Sequence, residues 1–328
     1  TEVVVTEIRA DQLRERLDEA DPVLRGLLIG LLSRYRRGLR AARVGVLDAP
    51  EQAHDAVEAD QQRRVADKIR LERELLEAIE REELRVVFQP IYDLRHGCIA
   101  GFEALVRWQH PQRGMVSPAE FIALAEETSL IVPVGHYALR KSCQLLAEMD
   151  ARLQGRAQPW IAVNISGRQS AVPDFADLLA RTAAEAGVDP RRLKAEITES
   201  LALDYERVSE LIARCRSYGI GVSLDDFGTG YSGLGHLYRL DFDAIKLDQS
   251  FVRPLPGDAK AAALVRGIAG LLTGMGAEMV AEGVETAAQA RVLREFGVRY
   301  LQGWLIGKPQ DPAHSIPMLL SAPVLGLD

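Results

Sequence analysis

From Arg85 to the C-terminus, short β-rich runs alternate with amphipathic helical patterns, and few folds satisfy that rhythm. The runs are Val86–Tyr92, Gly101–Trp108, Trp160–Ile165, Leu193–Thr198, Gly221–Asp225, Ala244–Leu247, Glu278–Ala281 and Tyr300–Gln302. Helical periodicity separates most of them, over Pro118–Thr128, Val134–Arg152, Phe175–Ala186, Tyr205–Tyr218, Asp258–Met275 and Ala287–Phe296. Eight such strands in a segment close to the usual ~250 residues predict a closed (β/α)8 barrel, an α/β fold of the TIM type. A doubly wound open sheet has the same pattern and stays open as the alternative.

The chain has 328 residues, is 47% hydrophobic and carries a net charge of −7, enough for one large core and a smaller appendage. The richest apolar run, Ala261 to Val280, is interrupted by Arg266 and Glu278, so no membrane span is expected. The acidic balance argues against a nucleic-acid polymer as partner, and the cluster Arg34, Arg36, Arg37, Arg40 and Arg43 reads as a solvated helix face. Cys98, Cys143 and Cys215 are odd in number and far apart, which fits a reducing cytoplasm and packing roles, and offers no zinc spacing. Thr1, with no initiator and no leader pattern, reads as an interior point of a longer protein.

Ahead of the barrel, a short strand pattern over Val3–Ile8 precedes helical patterns starting at Asp11 and at Asp21-Pro22. Residues 1–56 form a small, mostly helical segment with a connector from Val44 to Ala56, and residues 57–82 a charged linker helix. Val65, Ile69, Leu76 and Ile79 give that helix a coiled-coil-like seam, suited to a homodimer, to relaying a signal from an upstream sensory domain, or to plain spacing. The barrel domain is expected over 83–328.

Polar residues of one kind recur at the strand ends: Glu103, Asn164, Glu196, Glu199, Asp225, Asp226, Lys246 and Glu282. In a barrel these ends share one face, so Glu103, Glu196, Asp225, Asp226 and Glu282 would bring about five negative charges into one pocket, which needs cations to hold together. Carboxylates and an amide, without histidine or thiolate, favour divalent cations of the Mg2+ or Mn2+ type over zinc. Adjacent strand residues face opposite ways, so Asp225 and Asp226 serve one site only where the strand ends, as Gly228 suggests. Gly228-Thr229-Gly230-Tyr231-Ser232-Gly233 has the spacing of a dinucleotide loop, but the two preceding aspartates would repel a pyrophosphate. His110, beside Pro111, reads as a loop residue, and Trp108 and Trp160 as barrel packing.

Gly101-Phe102-Glu103-Ala104-Leu105-Val106-Arg107-Trp108 resembles the defining motif of EAL-domain cyclic di-GMP phosphodiesterases. Phe88-Gln89-Pro90-Ile91, Val163-Asn164-Ile165-Ser166, Glu196-Ile197-Thr198-Glu199-Ser200, Asp225-Asp226-Phe227-Gly228, Ile245-Lys246-Leu247-Asp248, Glu282-Gly283-Val284-Glu285-Thr286 and Gln302-Gly303 stand around it in family order. The resemblance covers about three quarters of the chain and implies a modified barrel whose first strand is antiparallel to the rest. It further implies hydrolysis of cyclic di-GMP to the linear dinucleotide pGpG. By similarity, Glu103, Asn164, Glu196 and Asp225 would hold one cation, and Asp225, Asp226 and, through water, Glu282 the other. Lys246 would contact the attacking water, and Glu199 would anchor the loop after Asp226. Gln89, Leu105, Arg107 and Gln302 would line the substrate groove or steady the site. A domain of this type that has lost catalysis would remain a cyclic di-GMP receptor. The N-terminal forty or so residues resemble the closing strand and helices of cyclic-nucleotide-binding regulatory domains, without that family's phosphate-binding segment.

Overall fold

The computed structural model describes residues 67–229, 235–321 and 325–326. The expected strand and helices before Val57, the connector, the arginine cluster, Val65 and residues 230–234 of the glycine-rich loop lie outside the described residues.

The described residues fall into two compact units, a small one ending at Glu82 that also takes in Ser117–Leu130, and a large one of Glu83–Val116 with Ile131 onward. In the small unit, helix α1 (67–80) buries Leu71, Leu75 and Ala78 at helical spacing. Ile69 and Leu76 of the predicted seam are exposed, and Ile79 is half-buried. Helix α2 (Pro118–Thr128) starts with proline in its first turn and buries Phe121, Leu124 and Ala125.

The large unit is a closed barrel of strands β1 (Leu84–Asp93), β2 (Cys98–His110), β4 (Trp160–Ile165), β5 (Leu193–Thr198), β6 (Gly221–Phe227), β7 (Ala244–Leu247), β8 (Glu278–Ala281) and β9 (Tyr300–Gln302). The order β1-β9-β8-β7-β6-β5-β4-β2 closes through a β1–β2 pairing, which decides against the open sheet. Strand β1 is antiparallel to both neighbours, and all other barrel pairings are parallel. Strand β3 (Gly114–Val116), not expected from the sequence, extends β2 into a hairpin. Seven strand ends therefore open onto one face.

The connecting helices are α3 (Ile131–Leu153), α4 (Gly167–Ser170), α5 (Phe175–Glu185), α6 (Tyr205–Ser217), α7 (Gly235–Arg239), α8 (Gln249–Val252), α9 (Ala259–Met275), α10 (Ala287–Glu295) and α11 (Pro312–Leu320). The long ones obey their periodicity: α6 buries Val208, Leu211, Ile212 and Cys215, and its start is capped by Asp204 accepting from the Arg207 amide. Tyr137 on α3 donates to the Leu84 carbonyl at 2.6 Å, fastening that helix to the antiparallel strand. At the face opposite the strand ends, Arg299 bonds Asp93 at 3.1 Å and Glu278 at 2.6 Å, and the Lys194 ammonium lies 3.7 Å from the centre of the Trp160 ring.

Two expectations are corrected here. His110 is the last residue of β2 and buried, not a loop residue: its Nδ1 accepts from the Gln112 and Arg113 amides, so the hairpin turn folds over it. Cys98 is exposed at the start of β2, because β1 and β2 run on to a surface turn there; only Cys143 and Cys215 are packed inside.

Candidate metal centre

The site is assembled by Lys246, in the middle of β7 and 1% exposed. Its ammonium lies 3.2 Å from Glu103, 3.1 Å from Glu196, 3.1 Å from Asp225 and 2.8 Å from Glu282. These acids come from β2, β5, β6 and the exit of β8, so only closure of the barrel brings them to one point. Glu103 also accepts from Asn164 Nδ2 on β4 at 2.9 Å and from Gln302 Nε2 on β9 at 2.6 Å. The same Gln302 nitrogen reaches Gln89 Oε1 at 3.2 Å, which links the antiparallel first strand to the centre.

Asp226 joins through a backbone irregularity. The β6–β7 register shifts between Leu224 and Phe227, and Asp226 adopts φ 56°, left-handed for a non-glycine residue. That turn brings its carboxylate to the same side as Asp225, whose Oδ1 accepts the Asp226 amide at 2.9 Å. The sequence-level requirement that two adjacent aspartates share a site only at a strand exit is met by this one strained residue.

Charge is unbalanced at the centre: Glu103, Glu196, Asp225, Asp226 and Glu282 gather around one ammonium. Burial pushes the Lys246 ammonium down, but the four carboxylates outweigh it and its proton is held more tightly than usual. Glu103 pays a burial penalty too, yet attraction to Lys246 and the bonds from Gln302 and Asn164 keep it below the ordinary range. Glu196 is pushed well up by burial, with repulsion from Glu103 and Asp225 adding to it against the pull of Lys246. Burial likewise raises Glu282 to about 7, and desolvation with repulsion from Asp225 raises Asp226. Raised carboxylates beside one saturated cation mark a pocket that lacks positive charge.

The donor set fits divalent cations. Ligand oxygens of Glu103, Glu196 and Asp225 lie within 4.8 Å of one another, as do those of Asp225, Asp226 and Glu282, so two groups share Asp225. Every donor is oxygen, the preference of hard cations. Gln302 Oε1 is buried without a hydrogen-bond partner among the described residues, an acceptor left over for a ligand.

The remaining predicted residues sit differently. Leu105 and Arg107 continue β2 beyond Glu103, half-buried; the Arg107 guanidinium donates to the Val106 carbonyl, and burial lowers its pKa against the pull of Glu103. Glu199 is buried just after β5, but the loop segment it was expected to anchor lies outside the described residues. Three residues escaped sequence reasoning. Trp304, two positions past Gln302, is 62% exposed with the Lys308 ammonium 4.4 Å from its ring centre. Gln169 and Gln289 are buried members of capping boxes that close the turns after Asn164 and Glu282. The spacing Ser166-x-x-Gln169 and Thr286-x-x-Gln289 was the signal for both.

A closed barrel whose parallel strand ends carry two oxygen-only ligand groups with one carboxylate in common has the architecture of a divalent-cation centre. More narrowly, the chain belongs to the EAL domain family, which matches residues 72–309. It is 38% identical over 252 residues to the bifunctional diguanylate cyclase/cyclic di-GMP phosphodiesterase MucR of Pseudomonas aeruginosa, covering 76% of this chain and 36% of that protein. It is 40% identical over 240 residues to a cyclic di-GMP phosphodiesterase of the same organism, covering 73% and 40%. The chain thus spans well under half the length of these relatives. Among solved structures, the EAL enzyme Bd1971 with cAMP and cyclic di-GMP bound superimposes with a TM-score of 0.80 at 32% identity, covering 95% of this chain and 80% of that one. The MucR phosphodiesterase in complex with cyclic di-GMP gives 0.69 at 37% identity, over 74% and 98%.

Proposed function

We propose that this chain hydrolyses cyclic di-GMP to the linear dinucleotide pGpG using two divalent cations, Mg2+ or Mn2+. The observation that carries this reading is the surplus of carboxylates: four converge on one lysine and Asp226 adds a fifth, in two groups with Asp225 in common. In this reading Glu103, Asn164, Glu196 and Asp225 hold one cation, and Asp225, Asp226 and Glu282 the other. Bound there, the cations would supply Lewis acidity, lowering the pKa of water and neutralising charge on the phosphoryl oxygens. The protein's own groups do the rest. Lys246, fixed by four carboxylates, holds the attacking water at the floor of the pocket. Arg107 meets phosphate through its planar donors, Gln89, Leu105 and Gln302 line the groove, and Glu199 steadies the loop after Asp226. Trp304 offers an exposed ring at the rim on which a guanine base stacks.

The domain plan proposed alongside is a regulatory piece over 1–56, a linker helix over 57–82 and the phosphodiesterase domain over 83–328. The similar EAL enzyme Bd1971 is known with cAMP as well as cyclic di-GMP bound, which supports an input module related to cyclic-nucleotide-binding domains. A homodimer is supported by exposed Ile69 and Leu76 on α1, and by Leu264, Leu271 and Met275 on α9. A cytoplasmic location is supported by three free cysteines, and among the described residues no helix is long and apolar enough to cross a membrane.

Purified protein incubated with cyclic di-GMP and Mn2+ is expected to release pGpG and to stop on chelation. Tight cyclic di-GMP binding with no linear product would replace the enzyme by a receptor; comparable turnover of unrelated phosphodiesters would remove the substrate assignment.

A further inference from the structure

Asp225 and Asp226 leave β6 and Glu282 leaves β8, so strand β7 stands between the two arms of the second ligand group. No direct strand pairing sets the distance across it. The segment that follows β7 fills this gap. On one side the Asp248 amide donates to the Phe227 carbonyl at 3.5 Å; on the other, the Glu282 amide donates to the Leu247 carbonyl at 3.1 Å. Each arm has a glycine with positive φ where the segment packs. At Gly228 (φ 100°) a Cβ would lie 2.4 Å from the Phe251 ring, and at Gly283 (φ 66°) 2.4 Å from Gln249 Cβ. Helix α8 is therefore wedged against both ligand turns with no room for a methyl group.

Gln289 closes this arrangement. Its Oε1 accepts from the Glu285 amide at 2.9 Å, the Thr286 amide at 3.0 Å and Thr286 Oγ1 at 3.2 Å, while its Nε2 donates to the Val252 carbonyl of α8 at 3.3 Å. A capping box needs only the acceptor. Here the side chain is buried, and its remaining donor reaches a different element, as a buried amide must find partners for both ends.

We propose that Gln289 is a positioning residue for the second cation: by joining the Glu282–Thr286 turn to α8, it fixes the Glu282 carboxylate opposite Asp225 and Asp226. This rests on the two-cation reading above. Gln289→Glu keeps the acceptor oxygens, glutamate being equally suited to the box, and removes the donor to Val252. Its added negative charge would by itself tighten cation binding, so weakened binding reports position and not charge. Titration with Mn2+, followed by the paramagnetic resonance of the free ion, is expected to show one of the two sites loosened about tenfold, in a protein that still unfolds in a single cooperative transition in chelator. Unchanged or tighter binding overturns the proposal. Phe251→Leu, which withdraws the ring from Gly228 and leaves Gln289 intact, gives a second reading: it is expected to loosen the same site, and equal affinity would again count against the wedge. Failure of the two-cation reading is separate, since the parent protein itself would then bind fewer than two Mn2+ ions.

Discussion

Replacing Lys246 by methionine keeps the volume of its stem and removes the one positive charge at the centre. Four carboxylates lie 2.8 to 3.2 Å from its nitrogen, and the residue is 1% exposed, so water cannot take over the role. Breaking a buried ion pair by deleting one partner costs about 3–5 kcal/mol. For a domain of this size each kcal/mol moves the unfolding midpoint by roughly 2–4 °C, so a drop of about 6–20 °C is expected. Calorimetry in chelator at pH 8 measures it. The deficit should shrink on acidification through pH 7. Glu282, raised to about 7 in the folded protein, has a folded pKa above its unfolded one; its ionised form is therefore the costly one and disappears as pH falls. Added Mn2+ at pH 8 should restore part of the loss by supplying the missing charge. A drop below about 2 °C, given the scale above, or a deficit that grows as pH falls, would refute the view that Lys246 holds the acids together.

Glu103→Ala and Asp225→Asn each remove charge from a ligand group, and each should lower cyclic di-GMP turnover more than about a hundredfold at fixed Mn2+, beyond the usual effect of outer partners; full activity in either, measured by chromatography of pGpG, would refute its assignment. Trp304→Ala should raise KM by about 5- to 100-fold, the worth of one stacked base, with kcat nearly unchanged; an effect confined to kcat would remove the ring from the groove. A thiol reagent should label one cysteine per folded chain, Cys98, and three after denaturation, because burial pushes Cys143 and Cys215 up to about 12. Rapid labelling of two or three native thiols would contradict the packing.

What could be read without coordinates was whatever repeats locally. The strand runs, the long helices and the polar residues at the strand ends follow from periods of two and 3.6 and from side-chain chemistry, and the surplus of acids among them implied cations before any distance was known. Closure decided the rest. That Lys246 lies within reach of residues 143 positions before it and 36 after it depends on eight strands meeting edge to edge, which no local pattern encodes. The left-handed turn at Asp226, at the β6–β7 register shift, and the bond from Gln289 to Val252 are set by neighbours distant in sequence, while the burial of His110 and the exposure of Cys98 follow from where their strands turn. Residue types thus announce which chemistry is available, whereas the geometry that combines them comes from packing, because a side chain's environment is determined by the elements that surround it and not by the residues beside it.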